Sequence, residues 1–252
     1  MRTSFYDTDR AVAEYLHFHY GEETLPYQDA PAGALHFPLC CVTECLNQKA
    51  LPPGARALDL GCAVGRSSFE LARSCQEVVG IDWSQRFIDT ARHLQDHGHL
   101  QYTVVQEGLL TQPALARIAP EIDRQRVRFQ RGDAEQLPAD LGTFDVVLLA
   151  NLIDRLHDPR RCLRQLPALL KAGGQLIITS PYTWLTEYTP VENWLGGFER
   201  KGRPVLTLDT LREVLSPTFS LTGLRDLPFL IREHARKFQW SVAQASLWLR
   251  HQ

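Results

Sequence analysis

The most informative stretch of this chain is residues 57–67, ALDLGCAVGRS. An apolar run leads to an acid, Asp59, and two glycines follow at Gly61 and Gly65. A glycine turn between a strand and a helix brings the backbone close to a ligand and exposes the first N–H groups of the helix. The middle glycine of the pattern G-x-G-x-x-G is absent, because Ala63 stands there. The stretch therefore predicts a strand, a ligand-binding turn and a helix.

Apolar strands alternate with amphipathic helices through the middle of the chain. The predicted strands are RALDLG, EVVGID, VRFQRGD, FDVVLLAN and QLIITSP, and the predicted helices are RSSFELARSC, SQRFIDTARHLQDHG and DPRRCLRQLPALLKAGG. Such alternation forms right-handed β-α-β units, with a parallel sheet and helices on both faces. Residues 101–126 interrupt the alternation, and we expect a strand (QYTVVQE) and a short helix there. The pattern predicts the α/β class.

The two ends of the chain differ from this alternating centre. Residues 1–50 are predicted to form a helical N-terminal cap, and residues 51–181 the core. Residues 182–252 are expected to hold a lid, a last helix (TLDTLREVL, capped by Thr207 or Asp209) and two terminal strands, FSLTGLRD and WSVAQASLWLR, joined by LPFLIREHARKFQ. The lid stretch PYTWLTEYTPVENWLGGFERKGRPV is too long for an ordinary loop and rich in aromatic residues, which argues for a functional segment.

Composition and charge narrow the class of protein. The 252 residues are 44% hydrophobic and 22% charged, as in an ordinary soluble globular protein, and the formal net charge is -2. Nucleic acid or an anionic membrane favours a strong basic excess, so neither is expected as the main partner. The apolar run VVLLANLI is far below the roughly 18 residues of a membrane span, and the N-terminus lacks the apolar core of a signal peptide. We therefore expect a cytoplasmic protein.

Six cysteines are expected to be free thiols, mostly buried. Their spacing fits no secreted disulfide framework, and a reducing compartment keeps thiols free. A zinc site would need a second Cys/His pair at zinc-finger spacing besides the stretch CCVTEC. The sequence has none, so no metal site is expected. The six are Cys40, Cys41, Cys45, Cys62, Cys75 and Cys162.

Three acids in register with the predicted strands indicate the kind of ligand. Asp59 stands two residues before Gly61, where a carboxylate suits a cationic amino-acid end better than a pyrophosphate. Asp82 ends the second strand, where a carboxylate accepts hydrogen bonds from both hydroxyls of a ribose. Asp133, in RGDAEQLP, ends the next strand and is placed to accept from an adenine amino group. The ligand is therefore predicted to be cationic and to carry adenosine.

The motifs DLGCAVG, VVGIDWS and FQRGDAEQLP resemble, in order and spacing, those of the class I S-adenosylmethionine-dependent methyltransferases. The resemblance covers about residues 51–226, with Ala63 for the central glycine as its departure. It implies S-adenosyl-L-methionine as cofactor, S-adenosyl-L-homocysteine as product, and a Rossmann-like seven-stranded sheet of order 3-2-1-4-5-7-6 with the seventh strand antiparallel. The cofactor-binding residues that it implies are Asp59, Gly61, Cys62, Ala63, Gly65, Asp82, Trp83, Asp133, Ala134 and Asn151.

The predicted topology also indicates where a substrate binds. Ligands bind at the carboxyl ends of the parallel strands, and an antiparallel last strand begins at that edge, so the preceding segment REHARKFQW is expected nearby. Aromatic walls with a few charged groups suit a small polar substrate, and arginine binds a carboxylate in bidentate fashion. Alternatively, Glu233 and Lys237 form an exposed i,i+4 pair and the aromatic residues are core. The candidate substrate-binding residues are Tyr182, Trp184, Asn193, Trp194, Arg232 and Arg236.

A closer resemblance comes from FYDTDRAVAEYLHFHYG, LDLGCAVGRSSFELAR, SPYTWLTEYTPVENWLGGF and FLIREHARKFQWSVAQASLW. These stretches resemble the methyltransferases of ovothiol biosynthesis over nearly the whole chain. The resemblance implies methylation of the imidazole π-nitrogen of 5-thiohistidine (4-mercaptohistidine). In many members of that family this unit lies behind an iron-dependent sulfoxide synthase. We therefore expect a stand-alone or excised version that acts with a separate sulfoxide synthase.

The predicted reaction depends on alignment of nucleophile, methyl group and sulfur more than on a strong base. A neutral imidazole nitrogen is already nucleophilic, since the reference pKa of the ring is about 6.5. A weak proton acceptor suffices, and the candidates are His234, Glu192 and Tyr6. Metal is unnecessary for this step. Four other histidines are interpreted as surface or packing residues, and Asp154 in NLIDRL is assigned no role; the histidines are His17, His19, His93 and His97.

Three alternatives stay open at the level of sequence. Another small-molecule N- or S-methyltransferase, for instance one acting on the α-amine of histidine, uses the same cofactor. A nicotinamide-dependent oxidoreductase shares the glycine turn and the ribose acid, but Asp59 and the absent middle glycine speak against it. A non-catalytic methyltransferase-like partner subunit is the third, and the intact motifs speak against it.

Overall fold

The computed structural model describes residues 5–21 and 34–252, and of Phe5 only the backbone. The strands are β1 (Arg56–Leu60), β2 (Glu77–Asp82), β3 (His99–Glu107), β4 (Leu110–Arg117), β5 (Val127–Arg131), β6 (Phe144–Ala150), β7 (Leu170–Ser180), β8 (Phe198–Arg200), β9 (Arg203–Val205), β10 (Phe219–His234) and β11 (Lys237–Arg250). The α-helices are α1 (Asp9–Tyr20), α2 (Phe37–Thr43), α3 (Arg66–Leu71), α4 (Gln85–His97), α5 (Pro159–Leu169) and α6 (Thr207–Leu215).

Seven strands form one sheet in the order β10-β11-β7-β6-β1-β2-β5. Neighbouring strands pair in parallel except β11, which runs antiparallel to both β7 and β10. The central strand β6, FDVVLLA, is apolar almost throughout and is buried along nearly its whole length, because both faces of the sheet are covered. When these seven strands are renumbered by their order along the chain, the order across the sheet is 6-7-5-4-1-2-3. Read from the opposite edge of the sheet, this is the predicted order, so the predicted α/β fold and strand order are confirmed.

Helices cover the two faces of the sheet and enclose two apolar cores. On one face, α2, α3 and α4 contribute Phe37, Phe69 and Ile88 to the first core. On the other face, α5 and α6 contribute Leu163 and Leu211 to the second core. No helix within residues 5–21 and 34–252 combines the length and the apolar character that crossing a bilayer requires.

The cysteines follow the expectation of free thiols. All six are unpaired; five are buried and Cys40 is half-buried. Burial raises the pKa of every one of these thiols, so they stay protonated at neutral pH. They are therefore poor nucleophiles and poor metal ligands.

The segment between α4 and β5 contains the predicted strand QYTVVQE, within β3, but a second strand stands where a short helix was expected. It forms an antiparallel hairpin, β3 and β4, followed by a 3-10 turn at Arg124–Arg126. The stretch LTQPALAR is composed mostly of good helix formers, yet Gly108, at φ +57°, reverses the chain and allows that stretch to pair with β3. Tertiary pairing has overridden local helix propensity here.

The C-terminal segment also differs from the prediction of two short strands with a connection between them. The predicted connection is strand: β10 continues to His234, and β11 already begins at Lys237. The sheet ends near the pair Asp226–Gln244, and the rest of the hairpin overhangs the carboxyl edge of the strands. The overhang packs on the cap, where the rings of Phe229 and Phe37 lie 4.9 Å apart.

The lid contains more hydrogen-bonded structure than its Gly/Pro-rich sequence suggests. It holds a 3-10 turn at Val191–Asn193 and the small hairpin formed by β8 and β9. The following helix α6 starts at Thr207 and has Leu206 at its N-cap, so neither predicted cap residue is used. Instead, the hydroxyl of Thr207 accepts a hydrogen bond from the indole of Trp184 at 2.9 Å. The part of the predicted N-terminal cap in residues 1–4 and 22–33 lies outside the described residues.

Candidate active site

The glycine turn joins the end of β1 to the start of α3. Gly61, Ala63 and Gly65 all have positive φ angles, of +74°, +46° and +87°. The N–H of Gly61 donates to the carbonyl of Ile81 at 2.8 Å, which ties the turn to the neighbouring strand β2. The left-handed region is unfavourable for a residue with a Cβ, so Ala63 occupies a mildly strained position. The turn that the sequence predicts is present, and alanine replaces glycine without changing its course.

Asp59 lies in the buried part of β1, just before this turn, and is only 1% exposed. Its Oδ2 accepts from the Ser68 hydroxyl at 2.6 Å, while its buried Oδ1 has no partner within the described part of the chain. Burial, with a contribution from the nearby charge of Asp82, raises the pKa of Asp59 to about 7. A buried carboxylate with one unsatisfied oxygen is stabilised by a cation, so this acid fits a ligand with a cationic end.

Asp82 ends β2 and is held by backbone donors. Its two carboxylate oxygens accept from the N–H of Ala63 at 2.9 Å and from that of Ser84 at 2.8 Å. Each oxygen keeps a further lone pair, so the carboxylate can still accept from two ligand hydroxyls. Burial raises the pKa of Asp82 to about 6. The adjacent Trp83 is 56% exposed, and the guanidinium of Arg131 lies 5.5 Å from its ring centre.

Asp133 follows β5 and lies beside the other two acids. The N–H of Gly132 donates to the carbonyl of Asp82 at 2.9 Å, which joins the ends of β5 and β2. The carboxylate of Asp133 accepts from the N–H of Glu135 at 2.8 Å, and the carbonyl of Ala134 accepts from Gln165 at 3.0 Å. The structure thus brings the three predicted acids to one edge of the sheet.

The end of β6 supplies an acid-base pair to which the sequence reasoning assigned no role. Asn151, at φ +51°, is the first residue after β6 and donates its N–H to the Thr179 carbonyl at 2.9 Å. Asp154 is fully buried, and its Oδ2 accepts from the N–H of Thr183 at 3.0 Å and lies 3.3 Å from Nη1 of Arg155. This pair connects the strand end to the first residues of the lid. The feature of the sequence that could have identified this pair is an acid followed by an arginine shortly after the fourth parallel strand.

Helix α1 lies across the same edge of the sheet. At its start, the Ser84 hydroxyl donates to the Tyr6 carbonyl at 3.0 Å; at its end, the Tyr20 hydroxyl donates to the carbonyl of Val64, within the glycine turn, at 2.9 Å. The cap is therefore fastened to the strand edge at both β2 and β1. Side chains on the inner face of α1 consequently face the ligand edge.

Three tyrosines and an arginine, here called the tyrosine–arginine cluster, meet beneath α1. The ring of Tyr6 lies 6.0 Å from that of Tyr15 and 6.1 Å from that of Tyr188, and the Arg155 guanidinium lies 5.0 Å from the centre of the Tyr188 ring. Burial raises the pKa of Tyr15 to about 12, with a contribution from the charge of Asp82, and it also raises the pKa values of Tyr6 and Tyr188. The three phenols are therefore neutral at physiological pH. The sequence reasoning named Tyr6 but missed Tyr15 and Arg155.

His19 packs beside this cluster, in agreement with its interpretation as a surface or packing residue. Its ring lies 5.8 Å from that of Tyr15, and its Nδ1 is buried with no partner within the described residues. Burial and the positive charge of Arg66 lower the pKa of His19 to about 3, so the ring is neutral. By contrast, His93 and His97 stack on α4 with ring centres 4.2 Å apart, as surface histidines do.

The predicted substrate residues of the lid fall into two groups. Trp184 is only 8% exposed, and its ring stacks at 6.3 Å on that of Trp194, whose indole donates to the Thr189 carbonyl at 2.9 Å. Asn193 donates to the carbonyl of a core loop at 2.9 Å, and the neighbouring Glu192 is exposed. These side chains hold the lid to the core, in agreement with the alternative that the aromatic residues are core.

Tyr182 belongs to the second group and lies at the ligand edge. Its backbone has φ +56°, and its hydroxyl donates to Oε1 of Gln244 at 3.0 Å. Gln244 is the residue at which β11 reaches the end of β7. Tyr182 thus connects the first turn of the lid to the last strand beside the acids of the glycine-turn edge.

The segment REHARKFQW lies further from the strand ends than the topology argument predicted. His234 is eight residues beyond Asp226 along the overhanging hairpin, about 26 Å at 3.3 Å per residue. Its Nδ1 accepts from the N–H of Arg236 at 3.3 Å within the hairpin tip, and Arg236 is exposed. Glu233 and Lys237 form the exposed pair of the alternative interpretation, at 2.7 Å. The expectation assumed a loop before the last strand, whereas a continuous hairpin carries these residues outward.

Arg232 lies on the inner side of the same hairpin but also away from the acids. It lines a small cavity together with Phe18, Leu230 and Phe238. These neighbours belong to the overhang and to the cap, so Arg232 contacts the outer part of α1 and not the glycine turn. Of Arg155, Arg232 and Arg236, Arg155 is the one that lies in the tyrosine–arginine cluster.

Comparison with known proteins agrees with this geometry. Residues 58–178 match a family described as "Methyltransferase domain". The chain is 26% identical over 135 residues to the ubiquinone biosynthesis O-methyltransferase of Coxiella burnetii, covering 54% of this chain and 47% of that protein. It is 30% identical over 125 residues to the demethylmenaquinone methyltransferase of Clavibacter sepedonicus, covering 50% of this chain and 40% of that one. The chain spans about half the length of these curated relatives.

Solved structures share the fold at low sequence identity. The [4+2]-cyclase SpnF has a TM-score of 0.60 and 18% identity, with 98% of this chain and 94% of that chain covered. An S-adenosylmethionine-dependent methyltransferase from Methanosarcina mazei has a TM-score of 0.55 and 18% identity, with 81% and 95% covered. The buried, half-satisfied carboxylate of Asp59 fits the cationic end of that cofactor, and Asp82 and Asp133 fit its adenosine. Residues 58–178 therefore resemble a methyltransferase domain, the sheet is that of the class I fold, and S-adenosyl-L-methionine is the cofactor that the site fits.

Proposed function

We propose that this chain transfers the methyl group of S-adenosyl-L-methionine to the imidazole π-nitrogen of 5-thiohistidine, as in ovothiol biosynthesis. The observation that carries the proposal is the composition of the tyrosine–arginine cluster. Tyr6 and Tyr15 come from the N-terminal stretch FYDTDRAVAEYLHFHYG, and Tyr188 comes from the lid stretch SPYTWLTEYTPVENWLGGF. Both stretches lie outside the matched residues 58–178 and carry the closer resemblance. They meet beside Asp82, at the edge where the cofactor acids lie.

The proposed cofactor site extends along the carboxyl ends of three strands. Asp59 faces the cationic amino-acid end, Asp82 the ribose and Asp133 the adenine. The exposed ring of Trp83 offers a flat apolar surface beside Asp82. The remaining proposed contacts come from the turn and from the ends of β5 and β6: Gly61, Cys62, Ala63, Gly65, Ala134 and Asn151.

The chemistry proposed for the acceptor is a single displacement. The cofactor supplies an electrophilic methyl group on a sulfonium, a C–S bond breaks and an N–C bond forms, and the imidazole loses its N–H proton to water. The chain's contribution is to hold the ring in line with the methyl group and to exclude water. Because the pKa of Tyr6 is raised by burial, its phenol keeps its proton and acts as a hydrogen-bonding group, not as a base. Of the three proton acceptors considered, only Tyr6 lies in this cluster; Glu192 is exposed on the lid and His234 lies at the hairpin tip.

The proposed organisation of the chain has three parts. Residues 1–50 act as a cap over the cofactor, residues 51–181 bind it, and residues 182–252 supply the lid and the terminal strands. Tyr182, at the ligand edge, is the lid residue that we propose lines the acceptor site together with Tyr188. The substrate would be supplied by a sulfoxide synthase.

The test is transfer by the purified protein. 5-Thiohistidine and histidine are each incubated with S-adenosyl-L-methionine, and products heavier by one methyl are sought by mass spectrometry. We expect transfer to 5-thiohistidine and little or none to histidine, with fragment masses that place the methyl on the ring. Binding of S-adenosyl-L-homocysteine by calorimetry is the control for a folded cofactor site. Absence of product from 5-thiohistidine in protein that binds this compound would contradict the proposal.

The second candidate is a different small-molecule N- or S-methyltransferase. It rests on the fact that the matched residues 58–178 specify the cofactor site and leave the acceptor open. A methyl group on the α-amine or on the sulfur, located by the same fragment masses, would favour it.

A further inference from the structure

Arg155 stands where an anionic group of the acceptor could be bound. It ends the 3-10 helix Ile153–Arg155 that follows β6, and its side chain is 26% exposed, so solvent or a ligand can reach it. Among the described residues, its hydrogen bonds are made by Nη1 alone, to the carbonyls of Asp154 at 2.9 Å and Thr183 at 3.0 Å. Its Nε and Nη2 remain as donors. A guanidinium with two remaining donors is suited to bidentate binding of a carboxylate.

The immediate neighbours of Arg155 are phenol hydroxyls and one carboxylate. The phenols of Tyr6, Tyr15 and Tyr188 are its neighbours, and all three keep their protons. The one carboxylate in contact with it, Asp154, lies on its Nη1 side and accepts from the N–H of Thr183. Asp154 therefore holds one end of the guanidinium and leaves the other end unneutralised.

The two arginines first considered for this role lie elsewhere. Arg236 is exposed at the hairpin tip, and Arg232 lies among Phe18, Leu230 and Phe238 on the outer part of the cap. Both therefore belong to the overhanging hairpin, whereas Tyr15 lies close enough to both Asp82 and Arg155 for their charges to act on it. The cluster thus adjoins the cofactor site on one side and Arg155 on the other.

We infer that Arg155, together with the hydroxyls of Tyr15 and Tyr188, binds the carboxylate of an amino-acid methyl acceptor. The inference rests on the proposed function, since it needs an acceptor that carries an amino-acid carboxylate. It names the specificity determinant of that site: the enzyme distinguishes an amino acid from the corresponding amine through this guanidinium.

The experiment compares acceptors that differ only in the carboxylate. Binding of 5-thiohistidine and of 5-thiohistamine to protein saturated with S-adenosyl-L-homocysteine is measured by calorimetry, and KM is measured for each where turnover occurs. For Arg155→Gln we expect Kd and KM for 5-thiohistidine to rise about 10- to 100-fold, as for loss of a charge-assisted hydrogen-bonded pair. The values for 5-thiohistamine should change less than about threefold, and the Kd of S-adenosyl-L-homocysteine should stay the same.

Matched variants keep the result interpretable. Arg155→Lys retains the charge without the fork and should fall between wild type and Arg155→Gln. Tyr188→Phe removes one hydroxyl without unpairing a charge and should raise KM for 5-thiohistidine alone, by about 3- to 10-fold. Arg232→Gln and Arg236→Gln, on the overhanging hairpin, should leave both acceptors unaffected.

Several outcomes would overturn the inference. Equal losses for 5-thiohistidine and 5-thiohistamine, a weaker affinity for S-adenosyl-L-homocysteine, or a carboxylate-selective loss in Arg232→Gln or Arg236→Gln would each do so. If wild type methylates 5-thiohistidine and Arg155→Gln shows no selectivity, the proposed function stands and the inference fails. If wild type binds neither 5-thiohistidine nor histidine, the proposed function fails and the inference fails with it.

Discussion

The predicted cofactor edge and the proposed acceptor region of this protein are built in opposite ways. At the cofactor edge, Asp59, Asp82 and Asp133 each end or follow a strand, and their carboxylates are held by donors of the same few turns. In the acceptor region, Tyr6, Arg155 and Tyr188 come from three distant parts of the chain. The first region is local in sequence and its ligand can be inferred from motifs. The second exists only where a cap, a strand end and a lid come together. The following predictions test this contrast, from the largest expected effect to the smallest.

The largest effect is expected at the glycine turn. Gly65 has φ +87°, and a Cβ there would lie 2.6 Å from Cζ of Phe129. Gly65→Ala should therefore lower the free energy of unfolding by about 2–4 kcal/mol, through backbone strain and overpacking. Urea unfolding and calorimetry with S-adenosyl-L-homocysteine measure stability and cofactor affinity. The matched control Ala63→Gly should change stability by less than about 1 kcal/mol, because its position already has positive φ. A tolerated Gly65→Ala would show that the turn is less constrained than its geometry indicates.

The next effect concerns the charge of Asp59. Its pKa is about 7, so the carboxyl is mostly protonated at pH 6 and ionised at pH 8. A cationic ligand prefers the ionised form, so wild-type affinity for S-adenosyl-L-methionine should rise with pH, by up to about tenfold per unit below pH 7. Asp59→Asn should bind about 10- to 100-fold more weakly at pH 8 and should lack this rise. Calorimetry across pH 6–8 measures both. A rise that persists in Asp59→Asn would assign it to Asp82, whose pKa is about 6.

His19 supplies a test within the acceptor region itself. Its pKa in the folded protein, about 3, is below the unfolded value near 6.5, so the unfolded state takes up the proton first as pH falls. The contribution of neutral His19 to the free energy of unfolding is complete above pH 6.5 and decreases as the pH falls toward 4. Between pH 7 and pH 5, wild type should lose about 1 kcal/mol more than His19→Gln, allowing for partial solvent access. Denaturant unfolding at both pH values measures this, with His17→Gln as the control. Parallel losses in wild type and His19→Gln would contradict the burial of this ring.

The smallest effect separates packing from binding within the lid. Trp184→Phe removes the indole donor to Thr207 and should cost about 1 kcal/mol of stability, with KM for the acceptor unchanged. Tyr182→Phe removes a hydroxyl at the ligand edge and should raise KM with little loss of stability. Thermal unfolding and steady-state kinetics measure the two quantities. A raised KM in Trp184→Phe at unchanged stability would restore Trp184 to the substrate site.

Much of the fold and of the cofactor site follows from local patterns. The run RALDLG and the apolar strand FDVVLLA identify buried parallel strands, and the acids at the strand ends identify the ligand edge. Two segments were predicted incorrectly because strand pairing and tertiary packing override local preference. LTQPALAR became a strand through its pairing with β3, and LPFLIREHARKFQ became hairpin through its packing on α1 and α2. That second error also misplaced His234 and Arg236, since an extended hairpin carries its tip away from the sheet.

The sequence by itself determined the class of fold, the order of the strands and the nature of the cofactor. Each of these depends on residues close together in the chain, at strand ends whose positions the alternation of apolar segments already defines. Only the tertiary structure decided which side chains form the tyrosine–arginine cluster, where we propose that the acceptor binds. Asp154 and Arg155 look ordinary in NLIDRL, and Trp184 looks like a binding residue. Burial and contacts across the chain reverse these interpretations: Trp184 is packed against Thr207, and Arg155 lies among the tyrosines of cap and lid. Such contacts have no period or spacing in the sequence, because they arise only when separate segments pack together.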